Sequence, residues 1–129
     1  MKNYHQLFTS AQQSMANSYS PYSKFKVGAA ILADDGNIYS GTNVEIISYP
    51  CGTCAEAGAI AAMINGGARK IVEILVIADS KELISPCGNC LQKILEFSDE
   101  NTKILLADTT GVQKIHVLSD LLPIAFKEY

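Results

Sequence analysis

The chain contains no tryptophan, and only four prolines and two histidines occur among its 129 residues. No apolar run approaches the roughly 18 residues expected of a membrane span. Positive charge is also scarce: ten Lys and Arg against thirteen Asp and Glu give a net charge of −3 and a pI near 5.3. The cations are scattered, so no basic stripe exists to hold a phosphate backbone. These absences argue against a nucleic-acid or membrane partner, and the polar start at Met1 shows no secretory leader, so a soluble, cytoplasmic protein is expected. Repeats, low-complexity tracts and linkers are missing too. With 48% hydrophobic residues, the chain is expected to form one domain over residues 1–129, with its own core.

Four cysteines are present, and in a reducing compartment they read as metal or redox chemistry sooner than as two disulfides. Their placement is informative. Cys54-Ala55-Glu56 is followed about thirty residues later by Pro86-Cys87-Gly88-Asn89-Cys90. Catalytic zinc takes three protein ligands and keeps one position for water, which Cys54, Cys87 and Cys90 satisfy in number. Zinc bound there would acidify a water beside Glu56, which lies two residues past the first ligand and is free to move protons. Both cysteine segments fall at expected helix starts, where backbone N–H groups and the helix dipole favour thiolates. A second arrangement uses the remaining cysteine, Cys51, as fourth ligand of a closed structural site, and in that case the chain is a non-catalytic zinc scaffold and Glu56 an ordinary carboxylate.

Patterning predicts the elements. Leu7, Phe8, Ala11 and Met15 recur at helical spacing, so a helix is expected from Tyr4 to about Asn17, with Pro21 barring its continuation. Phe25 to Ala33 and Asn37 to Val44 read as antiparallel strands around the turn signal Asp34-Asp35-Gly36. A helix follows from Cys54 to Asn65, stopped by Gly66-Gly67, then a continuously apolar strand from Ile71 to Ala78 of the kind covered on both faces. A helix from Gly88 to about Phe97, strands at Lys103–Ala107 and Gln113–Val117, and a short helix at Ser119–Leu122 complete the order α-β-β-α-β-α-β-β-α. That order predicts an α/β fold with a mixed five-stranded sheet flanked by helices.

The sequence resembles the small, homotetrameric cytidine deaminases over nearly its whole length. The resemblance is carried by Tyr19-Ser20-Pro21-Tyr22-Ser23-Lys24-Phe25-Lys26-Val27-Gly28-Ala29-Ala30, by Gly41-Thr42-Asn43-Val44-Glu45, and by the two cysteine segments. The latter match the three-cysteine zinc, non-ligating Glu and Pro-Cys-x-x-Cys pattern described for nucleobase deaminases. It implies a three-layer fold, one zinc per subunit and hydrolysis of cytidine and 2′-deoxycytidine in pyrimidine salvage. It also implies that Asn43 and Glu45 hold the sugar, that Phe25 packs at the nucleoside pocket with Tyr49 nearby, and that main chain around Ala55 and Ser85 reads the base edge. Phe126, in the segment Leu121-Leu122-Pro123-Ile124-Ala125-Phe126, resembles the aromatic residue that enters a neighbouring subunit's site. A sister activity on a modified cytosine nucleoside, such as blasticidin S, is the nearest alternative; the Asn43/Glu45 pair argues for an ordinary sugar instead.

Read without the resemblance, Asn43 and Glu45 lie two apart on a strand and so on one face, where an amide plus a carboxylate suits a diol, though a solvated strand end has the same look. The chain departs from the family at two places: Ala57 and Leu91 stand where many members carry arginines that offset the sulfurs' charge. Thr53, Gln92, helix-start N–H groups or a distant cation are the substitutes open to it.

Overall fold

Apolar periodicity and two kinds of turn divide the chain into its elements. The computed structural model describes residues 4–128. Helix α1 runs His5–Ala16 and buries Leu7 and Ala11. Strands β1 (Val27–Ala33) and β2 (Ile38–Thr42) are joined by a turn in which Gly36 takes φ +82°, a left-handed conformation that glycine adopts without a Cβ clash. Helix α2 is Ala55–Asn65, entered through a short 3-10 turn at Tyr49–Cys51 and followed by Gly67 at φ +95°. The chain continues through β3 (Ile71–Ala78), α3 (Gly88–Glu96), β4 (Lys103–Asp108), β5 (Gly111–Val117) and α4 (Leu118–Leu121). The order is the one expected from the sequence.

The strands form one mixed sheet in the order β2-β1-β3-β4-β5. β1 is antiparallel to both β2 and β3, β4 is antiparallel to β5, and β3 and β4 are parallel. A parallel pair needs a crossover, and α3 lies in it. Side chains alternate across the sheet. Ile74 and Val76 of β3 pack into a core with Ala59 and Met63 of α2, Ile94 of α3 and Leu118 of α4, whereas Leu75 and Ile77 pack on the other face with Leu7 and Ala11 of α1. The layers are therefore α1, sheet, and α2 with α3 and α4.

Two boundaries differ from expectation. Phe25 and Lys26 precede β1, and Asn43 and Glu45 lie beyond β2 rather than on it. The cause is a side chain: the Asn43 carboxamide takes up the Val27 amide (3.0 Å) and the Phe25 carbonyl (2.8 Å), groups that a longer ladder would have used. Past that point Val44 makes only isolated bridges to Tyr19 and Thr53.

Gly41 sets the distance between β2 and α2. A Cβ there would lie 2.4 Å from the Ala59 amide nitrogen and 2.6 Å from the Ala55 carbonyl oxygen, both backbone atoms that cannot swing aside. Gly41→Ala is expected to destabilise the protein by about 3 kcal/mol, the upper end of overpacking penalties, as read by urea denaturation, and to weaken zinc retention because α2 carries part of the site.

Candidate active site

Two helices begin at one point. Cys54 is the N-cap of α2 and Cys87 the N-cap of α3, both in extended backbone, and Cys90 follows within the first turn of α3. Because α2 and α3 pack on the same face of the sheet, the three Sγ atoms lie within 4.8 Å of one another. A tetrahedral zinc with bonds of about 2.3 Å needs sulfurs roughly 3.8 Å apart, so this donor set fits the ion with little adjustment. Among the described residues the group is limited to these three. Cys51 stands apart, exposed in the 3-10 turn with its sulfur 3.6 Å from Ser48 Oγ. Three thiolates without Cys51 leave a coordination position open, as a catalytic zinc requires and a closed structural one does not.

Glu56 sits in the first turn of α2 and is only 5% exposed. Burial raises its carboxyl above the usual range, partly offset by its own backbone N–H, by the Cys90 side chain and by the charge of Lys93. Burial likewise raises Cys54, and it drives the Cys90 thiol far up, with the negative charges of Glu56 and Cys54 adding to the effect. At Cys54 and Cys90 this runs against the expectation that helix starts favour thiolates before zinc binds: loss of water outweighs the dipole there.

A cavity of about 250 Å³ opens over this cluster and is lined by Phe25, Asn43, Cys54, Ala55, Glu56, Ser85, Cys87 and Cys90, with Val27, Val76, Ile84 and Pro86 completing it. Val27 and Pro86 fall within segments that carry the family resemblance, whereas Val76 and Ile84 were not legible as site residues, since each reads as ordinary core or loop. Glu45 and Tyr49 line an adjoining depression that shares Asn43, Cys54 and Cys87 with the cavity. Phe126 is elsewhere, 60% exposed beside Gln92 and Glu96, its carbonyl accepting a 2.8 Å hydrogen bond from Gln92 Nε2.

That bond occupies Gln92, one of the expected substitutes for the absent arginines. The single arginine, Arg69, donates to the carbonyls of Ile64 (3.0 Å) and Ala68 (2.9 Å) at the far end of α2, about 16 Å along an eleven-residue helix from Cys54. Lys93 is the cation whose field reaches both Cys54 and Glu56. Its spacing of three from Cys90 was the available signal, because such residues share a helix face.

Since the metal-free thiols of Cys54 and Cys90 are raised, zinc must displace their protons to bind. The sign follows: protonated sulfur competes with metal, so zinc affinity is expected to rise with pH and to fall by about tenfold or more per unit of acidification, where at least one proton is released for each ion bound. Competition with a chromophoric chelator across neutral and mildly acid buffers measures this.

Comparisons with known proteins agree with the geometry. The family profile described as the cytidine and deoxycytidylate deaminase zinc-binding region matches residues 1–106. The chain is 42% identical to a cytidine deaminase of Halalkalibacterium halodurans over 121 residues, covering 93% of this chain and 91% of the relative. It is 38% identical to one of Mycoplasma genitalium over 118 residues, covering 91% and 90%. The solved cytidine deaminase of Burkholderia pseudomallei superposes with a TM-score of 0.90 at 35% identity, covering 97% of this chain and 100% of that one. That of Mycobacterium tuberculosis gives 0.83 at 34% identity, covering 99% and 100%. With three clustered cysteines, a buried glutamate beside them and a family match across most of its length, the chain belongs to the cytidine and deoxycytidylate deaminase zinc-binding family.

Proposed function

We propose that this chain catalyses the hydrolytic deamination of cytidine and 2′-deoxycytidine to uridine and 2′-deoxyuridine, with release of ammonia. The observation that carries the reading is the meeting of three sulfurs with buried Glu56 at the floor of one cavity. Cys54, Cys87 and Cys90 hold one zinc ion per subunit, and the bound ion supplies the Lewis-acid chemistry that makes water a nucleophile at neutral pH. Glu56 accepts a proton from that water as its oxygen adds to the ring carbon bearing the exocyclic amine, and passes the proton to the adjacent ring nitrogen. It then takes the second proton of the added oxygen and delivers it to the amine; the carbon–nitrogen bond breaks and ammonia leaves, so water and nucleoside are fully accounted for. The raised proton affinity of Glu56 suits a group that must both accept and return protons near neutrality.

The remaining roles follow from position. Phe25 borders the cavity and frames the base, main chain at Ala55 and Ser85 reads its edge, and Asn43 with Glu45 holds the sugar. Phe126 lies outside its own chain's cavity, which supports its serving the site of a neighbouring subunit in a homotetramer. The protein acts as a single-domain cytoplasmic enzyme of pyrimidine salvage, and no helix of the described residues is long and apolar enough to cross a membrane.

Ammonia release from both nucleosides by the zinc-loaded protein tests the reaction. Glu56→Gln is expected to retain zinc and lose turnover by about a thousandfold or more, toward the upper range for a general acid–base group; unchanged turnover would remove Glu56 from the chemistry. The same variant has a stability signature. A buried carboxyl with a raised folded pKa contributes stability that is complete below its ordinary range and is lost as pH rises through the raised value. Metal-free Glu56→Gln should therefore melt above the metal-free parent at neutral pH, with the gap closing in acid.

Sharing of sites between subunits has its own test. Phe126→Ala and Glu56→Gln chains, each inactive as homo-oligomers, are expected to regain part of the parent activity when co-refolded, because mixed assemblies hold sites with both an intact Glu56 and a neighbour's Phe126. No recovery would mean that Phe126 does not act across subunits.

A further inference from the structure

The two residues read as the sugar grip already have most of their hydrogen-bonding capacity committed to the segment that leads into β1. Glu45 Oε1 accepts the backbone N–H groups of Tyr22 and Ser23, each at 3.1 Å, and Oε2 accepts the Ser23 hydroxyl in a short hydrogen bond. Ser23 Oγ in turn accepts the Phe25 N–H at 3.0 Å. Asn43 Oδ1 accepts the Ser18 hydroxyl at 2.6 Å and the Val27 N–H at 3.0 Å, while Nδ2 donates to the Phe25 carbonyl at 2.8 Å. The turn so held includes Lys24 at φ +61°, a left-handed conformation that a lysine seldom adopts unaided.

A carboxylate offers about four acceptor positions and a carboxamide two acceptors and two donors. With three positions filled on Glu45, and two acceptors and one donor used on Asn43, the pair retains one acceptor and one donor. That is the complement of a single hydroxyl, which donates once and accepts from the other side. We propose that Ser23 is a positioning residue for sugar recognition: its hydroxyl fixes the Glu45 carboxylate so that one acceptor position remains for one sugar hydroxyl. The proposal rests on the reading of Asn43 and Glu45 as the sugar grip and adds to it the residue that orients the grip.

The experiment compares Ser23→Ala, Ser23→Thr and Glu45→Gln with the parent, all zinc-loaded, on 2′-deoxycytidine and 2′,3′-dideoxycytidine. Ser23→Ala is expected to raise KM for 2′-deoxycytidine by about tenfold, the effect of weakening one hydrogen bond to a charged group, with kcat changing far less. KM for the dideoxy nucleoside, which lacks the hydroxyl at issue, should barely move, and Ser23→Thr should restore the parent values. A purely structural loss would raise KM for both nucleosides alike, and that outcome, or no rise at all, overturns the proposal. Binding of 2′-deoxyuridine against 2′,3′-dideoxyuridine by calorimetry reads the same split without turnover. Glu45→Gln separates the two levels of the argument. If it erases discrimination between the nucleosides while Ser23→Ala keeps it, only the role of Ser23 fails; if it leaves discrimination intact, the sugar-grip reading fails and the role of Ser23 falls with it.

Discussion

The close seating of α2 on β2 is the constraint from which the site follows. Gly41 admits the helix backbone to within a distance that no side chain would allow, and the alanines of β1 at positions 29 and 30 are fully buried, leaving room for helices on both faces of the sheet. Because the contact falls on the first turn of α2, between Ala55 and Ala59, the helix start that carries Cys54 and Glu56 is held beside the end of β2, where Asn43 follows. The parallel pairing of β3 with β4 then requires a crossover, and α3 within it carries Cys87 and Cys90 to the same point. A metal site assembled from two helix starts is thus a product of sheet order and helix seating; no single loop builds it.

Assembly at that point is electrostatically unfavourable by itself. Burial strips water from the thiols and the carboxyl and raises the proton affinities of Cys54, Cys90 and Glu56, with the negative charge of Glu56 adding to the effect at both cysteines. A divalent cation relieves the sulfurs and leaves about one net negative charge on the zinc–thiolate group, which tends to make the metal a weaker Lewis acid. Here Arg69 is committed to the opposite end of α2 and Gln92 to the C-terminal segment, and Lys93 is the cation whose charge reaches Cys54 and Glu56.

Local features were legible in the sequence wherever the cause is local. Glycines at 36 and 67 mark turns because they take positive φ, the unbroken apolar run of β3 reads as a strand covered on both faces, and the Cys-x-x-Cys pair shares one turn of a helix. What escaped has tertiary causes. The strand end at Asn43 depends on hydrogen bonds to residues 16 and 18 positions earlier in the chain, which β propensity does not register. The direction of the thiol shifts depends on how much water the folded chain removes, and the exclusion of Cys51 from the metal group depends on the path of the 3-10 turn. Ile84 lines the cavity because of where the β3–α3 connection runs, and nothing in its identity announces it.

The saturation of Asn43 and Glu45 bears on how substitutions in this site are to be understood. Asn43 and Glu45 both brace the segment that presents Phe25, so removing either one disturbs the placement of that ring along with any contact the residue makes to substrate. A large loss of kcat/KM on replacing Asn43 would therefore not measure the strength of one contact, for the backbone of Phe25 and Val27 would be released together with it. Only a change that spares the brace, such as deleting a hydroxyl from the nucleoside, isolates the contact. The economy of the arrangement lies in this double use: hydrogen-bonding capacity spent on shaping the segment before β1 leaves one donor on Asn43 and one acceptor on Glu45, the complement of a single hydroxyl if the proposed sugar grip holds.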